Sequence, residues 1–170
     1  MECDTLLLSV GLIPENELSR MAGVAMDRVT NGAVVDETRQ TEVPGIFACG
    51  NVLHVHDLVD NVSEEALLAG KSAAEFARDE RRYGKETIPV TPSGGVRYTV
   101  PQHLHPDAEG KVTVYFRVSS AIKPAVLTVL SGGKEIARRR KQIMTPGEME
   151  HIDVDMEKVA GDLTLHVEEA

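Results

Sequence analysis

Gly50 and Asn51 form the pair whose types and placing point most directly to ligand chemistry. They close the run Ile46-Phe47-Ala48-Cys49, which follows a Pro44-Gly45 turn. A glycine there lets backbone approach a ligand where a Cβ would intrude. The asparagine amide both donates and accepts. Two histidine pairs come next, His54-Val55-His56-Asp57 and His103-Leu104-His105. Each places two imidazoles one residue apart, and with a carboxylate such a pair can hold a metal ion. The spacing is not diagnostic, and no metal site is assigned; a place for His54 and His56 along a ligand crevice is the alternative. Arg138-Arg139-Arg140-Lys141 reads as a solvated edge strand whose charges discourage aggregation, with a phosphate or an acidic partner as the other reading. Cys49 reads as a small core residue. Cys3 and Cys49 form no C-x-x-C pair and imply a reducing, cytoplasmic setting.

Several elements must position these residues. Thr5 to Val10 is a short apolar run that reads as a buried strand of a parallel sheet, yet nothing ahead of it supplies neighbours. It is expected to pair elsewhere, to pack on another copy or to be disordered. Gly23 to Asp36 reads as a hairpin around Thr30-Asn31-Gly32, since Asn-Gly is a strong turn signal. A helix is expected from Val62 to Tyr83, with Asn61 as N-cap, Glu64 completing a capping box, and Gly84 as the stop. Val62, Ala66, Ala69, Ala73 and Ala77 would form its packing stripe. Lys85 to Gly95, rich in Pro and Gly, reads as a linker. Alternating patterns at Val112–Val118, Ile152–Met156 and Leu163–Val167, with further runs at Val96–Val100, Ala125–Leu130 and Glu135–Ile143, give about six strands.

The segment Thr41-Glu42-Val43-Pro44-Gly45-Ile46-Phe47-Ala48-Cys49-Gly50-Asn51 resembles the second flavin-binding motif of the pyridine nucleotide-disulfide oxidoreductases. Leu6 to Pro14 resembles the return from the nicotinamide-nucleotide domain to the flavin domain, and Ala69-Gly70-Lys71-Ser72-Ala73-Ala74 resembles the small-residue helix that follows the motif. Order and spacing fit across residues 4 to 82. The resemblance implies that Thr41, Gly50 and Asn51 face flavin adenine dinucleotide (FAD), and that the N–H groups of Val62 and Ser63 open the helix toward the flavin N1/O2 edge. Most family members carry Asp where Asn51 stands. Asp57, Asp60, Glu64 and Glu65 would oppose an anion there unless they point away.

The family grips its FAD and NAD(P) through G-x-G-x-x-G loops. No such loop occurs in the 170 residues, nor a redox cysteine pair, so no catalytic residue is assigned. The expected fold is α+β: residues 1–88 as the C-terminal part of an FAD/NAD(P)-binding domain, with short strands and one long helix, then residues 95–170 as an antiparallel β-sandwich, with an immunoglobulin-like arrangement in view. The expected function is that of a C-terminal piece of a flavin-dependent NAD(P)H oxidoreductase, inactive alone. The readings held beside it are an interaction module that docks on another subunit and a homo-oligomer. A net charge of -9 argues against nucleic acid and an anionic membrane surface as partners.

Overall fold

The computed structural model describes residues 4–7, 11–79 and 86–170. The expected N-terminal strand falls partly outside them, at residues 8–10. Its described part, Thr5 to Leu7, is exposed and belongs to no strand; Leu7 is 91% exposed. No strand among the described residues pairs with this part. A short helix that the sequence pattern did not single out follows, α1 (Glu17–Met21). Its N-cap Asn16 is buried and donates from Nδ2 to the carbonyls of Asn31 (3.0 Å) and Val52 (2.7 Å).

The hairpin around Asn31-Gly32 forms as a single bridge, Met26 to Ala33, rather than as long strands, and a second bridge, Val35 to Thr41, closes the next turn. Asn31 takes a left-handed conformation (φ 59°), which asparagine tolerates better than most residues. Gly32 is required by contact: a Cβ there would lie 1.7 Å from the Leu53 carbonyl oxygen. Gln40 bridges Phe47, and the Thr41 N–H donates to the Ile46 carbonyl (2.9 Å), closing the Pro44-Gly45 turn.

The long helix α2 (Val59–Ala77) starts three residues before the sequence signal and ends well before Gly84, which lies outside the described residues together with Arg81 and Arg82. Leu58, not Asn61, is the N-cap, and no side chain caps it; Asp60 in the first turn complements the helix dipole instead. Asp79 in a left-handed conformation (φ 60°) ends the helix, its N–H donating to the Phe76 carbonyl. The buried face is also rotated from the expected stripe. Glu65, Ala69 and Ser72 are buried at i, i+4 and i+7, whereas Ala66 and Ala77 face out.

The β-rich half holds eight strands: β1 (Ile88–Gly94), β2 (Val96–Val100), β3 (His103–Leu104), β4 (Lys111–Val118), β5 (Ala125–Ser131), β6 (Lys134–Lys141), β7 (Glu150–Asp155) and β8 (Leu163–Glu169). They form a five-stranded sheet, β3-β1-β8-β5-β6, and a three-stranded sheet, β2-β4-β7. The alternating side chains of both sheets meet in one apolar core around Val114, Phe116, Leu127, Val129, Leu163 and Leu165. All six expected strands are present.

Two expectations are corrected. The linker at 85–95 is a strand from Ile88 onward, and the sheet is mixed, because β1 runs parallel to β8 from Val90–Leu163 to Gly94–Val167. Pro92 fits in β1 for a local reason. The Val90 N–H donates to the Gln102 carbonyl (2.8 Å), away from β8, and the two-residue period turns the Pro92 nitrogen to that same side.

The two halves are in direct contact. Val24, Ala33, Val35 and Leu53 share a second apolar cluster with Tyr98 and Val100 of β2. Val35 and Gln102 exchange hydrogen bonds across the seam, the Val35 N–H to Gln102 Oε1 and the Gln102 N–H to the Val35 carbonyl. Arg117 of β4 donates to Asp57 (2.5 Å) and to the Val55 carbonyl (3.0 Å).

Candidate functional site

The Gly50-Asn51 loop sits against α2 and is built around a buried carboxylate. Gly50 opens a short 3-10 turn, Gly50–Val52, with φ at +70°, and a Cβ added there would meet the Val62 side chain at 3.4 Å. Its N–H donates to Glu65 Oε2 at 2.7 Å. Three side chains reach the same carboxylate: Arg39 Nε to Oε1 (2.9 Å), His54 Nε2 to Oε1 (3.2 Å) and His56 Nε2 to Oε2 (2.9 Å). Arg39, His54, His56 and Glu65 are all buried.

Local structure explains the convergence. Asp36 Oδ1 accepts from the Thr38 N–H (2.8 Å) and the Gln40 N–H (3.0 Å), a tight turn that holds Arg39 between them in a left-handed conformation (φ 69°). The rotated face of α2 brings Glu65 inward. The β-rich half closes the far side: Tyr115 lies 5.9 Å from the Arg39 guanidinium carbon, and the His54 ring packs edge-on to Tyr98 and Tyr115.

Burial raises the Glu65 pKa, but hydrogen bonds from His54 and His56 and the Arg39 charge outweigh it, so the carboxyl is held well below the ordinary range. Burial pushes His54 below its ordinary value against the pull of Glu65, so this imidazole is neutral and donates through Nε2. His54, His56 and Glu65 have the right atoms for a metal ion, all within 4.8 Å. The donor set argues for a proton-filled site. Four N–H groups already occupy the carboxylate's four lone-pair positions, and the Arg39 charge beside Oε1 opposes a further cation.

The residues singled out from sequence fall as follows. Thr41 is buried, and its hydroxyl is engaged within the turn, with the Val43 carbonyl and N–H both at 3.2 Å. Asn51 is exposed, and its Oδ1 accepts from the His56 N–H at 3.1 Å. Val62 lies beside Gly50, but because α2 begins at Val59, Val62 and Ser63 sit just past the first turn with their N–H groups in the helical ladder; the free donors are those of residues 59–61. Of the acidic residues, Glu65 points inward, Asp57 is held by Arg117 and the Met149 N–H, and Asp60 and Glu64 face out.

His103 and His105 do not join the first histidine pair. His105 instead meets Glu37 at 3.1 Å. Cys49 is half-buried rather than a core residue. The basic run lies on β6, at the end of its sheet as expected, with Arg139 and Lys141 paired to Glu150. Arg39 and Glu65 were not legible as functional residues. Glu65 carried one weak signal, its place four residues before Ala69 on a small-residue helix; Arg39 carried none.

A sequence profile described as pyridine nucleotide-disulphide oxidoreductase matches residues 1–73, the segment that builds this loop and most of α2. The N-terminal part of the chain is thus similar to that family. Mitochondrial dihydrolipoyl dehydrogenase of Caenorhabditis elegans is 40% identical over 75 residues, which are 44% of this chain and 15% of that protein. The ferredoxin–NAD(+) reductase component of the biphenyl dioxygenase system of Paraburkholderia xenovorans (strain LB400) is 45% identical over 49 residues, 29% of this chain and 11% of that protein. The chain thus spans less than a fifth of either oxidoreductase relative. No solved structure gave a significant match. Among the described residues, no helix is long and apolar enough to cross a membrane.

Proposed function

We propose that this chain supplies one wall of the flavin site in a flavin-dependent NAD(P)H oxidoreductase, followed by an appended β-rich domain, and that alone it does not turn over. The observation that carries this reading is the Gly50-Asn51 loop: a left-handed glycine with its N–H fixed by Glu65, and an exposed amide at the mouth of α2. The local chemistry fits a flavin. Gly50 presents no Cβ, Asn51 faces outward, and the N–H groups of residues 59–61 offer a positive helix end to an electron-rich ring edge. When bound, the flavin would accept hydride from the reduced nicotinamide and pass electrons on. Thr41 supports the loop from behind, since its hydroxyl is engaged in the turn.

The pyrophosphate grip is what the 170 residues lack, because they contain no G-x-G-x-x-G loop. The isolated chain should therefore bind FAD weakly and oxidise no NADH. Titration with FAD while the visible spectrum is recorded tests this. A stoichiometric flavin band near about 450 nm on the purified chain would overturn it.

A docking role for the β-rich half is the second reading, favoured by β6, which ends the five-stranded sheet with Arg138 and Arg140 exposed. Capture of an acidic partner that is lost on charge reversal of Arg138 and Arg140 would support it.

A further inference from the structure

We propose that Glu65 is a positioning residue for the flavin loop, and that it fixes Asn51 so that only the amide Nδ2 faces the ligand. This rests on the flavin reading above. Glu65 holds the loop at two points: Oε2 takes the Gly50 N–H (2.7 Å) and His56 Nε2 (2.9 Å). His56 is in turn tied to Asn51, its backbone N–H donating to Asn51 Oδ1 (3.1 Å). A backbone N–H can only donate, so the atom facing it must be the amide oxygen, and that sets the orientation of the Asn51 side chain. Nδ2 is left outward on an exposed residue, with no hydrogen bond among the described residues.

The consequence is a reversal of polarity. An aspartate at this position would offer a flavin polyol chain an acceptor. Asn51, with its oxygen occupied, offers a donor, and the free N–H groups of residues 59–61 are donors too. The loop therefore selects an acceptor oxygen on the ligand, and a polyol hydroxyl meets that need through its lone pairs. Glu65 makes no ligand contact, since its four acceptor positions are filled from within the protein.

The test uses the 170-residue chain labelled with nitrogen-15. Hydrogen exchange is measured at the Gly50 amide and at Leu127 in the β core, and FAD at millimolar concentration is added while the Asn51 side-chain amide signals are followed. In wild type, Gly50 should be protected and the Asn51 signals should shift. In Glu65→Gln, Gly50 exchange should quicken roughly tenfold or more, the scale of one charge-assisted hydrogen bond, and by more than any change at Leu127, with the Asn51 response lost. Equal Gly50 exchange in the two proteins, or an Asn51 response that Glu65→Gln leaves intact, would overturn the positioning role. No Asn51 response in wild type would overturn the flavin as ligand while Gly50 exchange still reports on the hub.

Asn51→Ala keeps the hub whole and guards against misfolding of the first variant. Gly50 protection should persist, and the FAD shifts at residues 59–61 should weaken. Unchanged shifts there would remove Asn51 from the ligand contact.

Discussion

The two halves of this molecule are held together by different physics. Residues 86–170 follow the ordinary rule for sheets: alternating side chains, two layers and one aliphatic core. Residues 11–79 have few regular elements beyond α2, and their organising centre is polar, a carboxylate in contact with four donors. An apolar core tolerates exchange among similar shapes, whereas a hub built on one buried charge fails when that charge leaves. That difference teaches where each half should be fragile.

The sharpest way to break the comparison is to remove the carboxylate. Glu65→Ala leaves Arg39 buried and uncompensated, and about 3–5 kcal/mol of stability should be lost. Urea unfolding followed by tyrosine fluorescence measures it, because Tyr98 and Tyr115 both face the hub. A loss under about 1 kcal/mol would mean the hub is ornamental.

Next in size is a cavity in the other half. Leu127→Ala, fully buried between the sheets, should cost about 2–5 kcal/mol in the same experiment. Exchange at Gly50 should rise with this variant only through global unfolding, which separates the two kinds of damage.

The third effect is that of pH, and its sign distinguishes the halves' seam from the hub. His54 is depressed below its ordinary 6.5, so its contribution is complete above pH 6.5 and is lost as pH falls from there through its folded value, the unfolded chain taking up the proton first. Glu65 acts in the same direction lower down, losing its contribution as pH falls below 4.5 toward its folded value. His105 runs the other way: burial lowers its pKa, but Glu37 and Asp36 raise it above 6.5, so its contribution is full below that pH and is lost as pH rises through its folded value. Thermal midpoints across pH 4–8 should fall on the acid side in wild type. Glu37→Gln should steepen that fall by removing the opposing seam contribution. A midpoint that rises on acidification would contradict the assignment of His54.

The smallest effect is at Gly50. Gly50→Ala places a Cβ on a left-handed backbone, costing about 1–2 kcal/mol, with room beside Val62 for little else. Calorimetry should register it, and Gly70→Ala, on the open face of α2, should show no such loss.

These differences also explain what could be read in advance. The six strands from Val96 onward were legible because burial on one face writes a two-residue period into sequence. The turns at Asn31-Gly32 and Pro44-Gly45 were legible because few residue types make them. β1 was not, since Pro89 and Pro92 read as breaks, and only the strand pairing shows that the Pro92 nitrogen falls on the side away from β8. The start of α2 was missed for a related reason: Asn61 looks like a cap, yet the helix continues for another turn with no side-chain cap. The Gly50-Asn51 loop stood out by residue type, but the hub behind it joins positions 39, 50, 54, 56 and 65, and a helix stripe read for apolar residues passes over a buried glutamate. The histidine pair was visible while its partner was not.

The order β3-β1-β8-β5-β6 has a consequence for the chain as it is being made. The eighth strand lies in the middle of its sheet, hydrogen-bonded on both sides, to β1 and to β5. Until it has been synthesised, β1 and the β5–β6 hairpin have no common neighbour, and two strand edges stand open on the ribosome. Closure of the larger sheet, and with it of the core that backs Tyr115, therefore waits for residues 163–169. A nascent chain halted before Leu163 should be held by chaperones, whereas one released after Glu169 should already be compact.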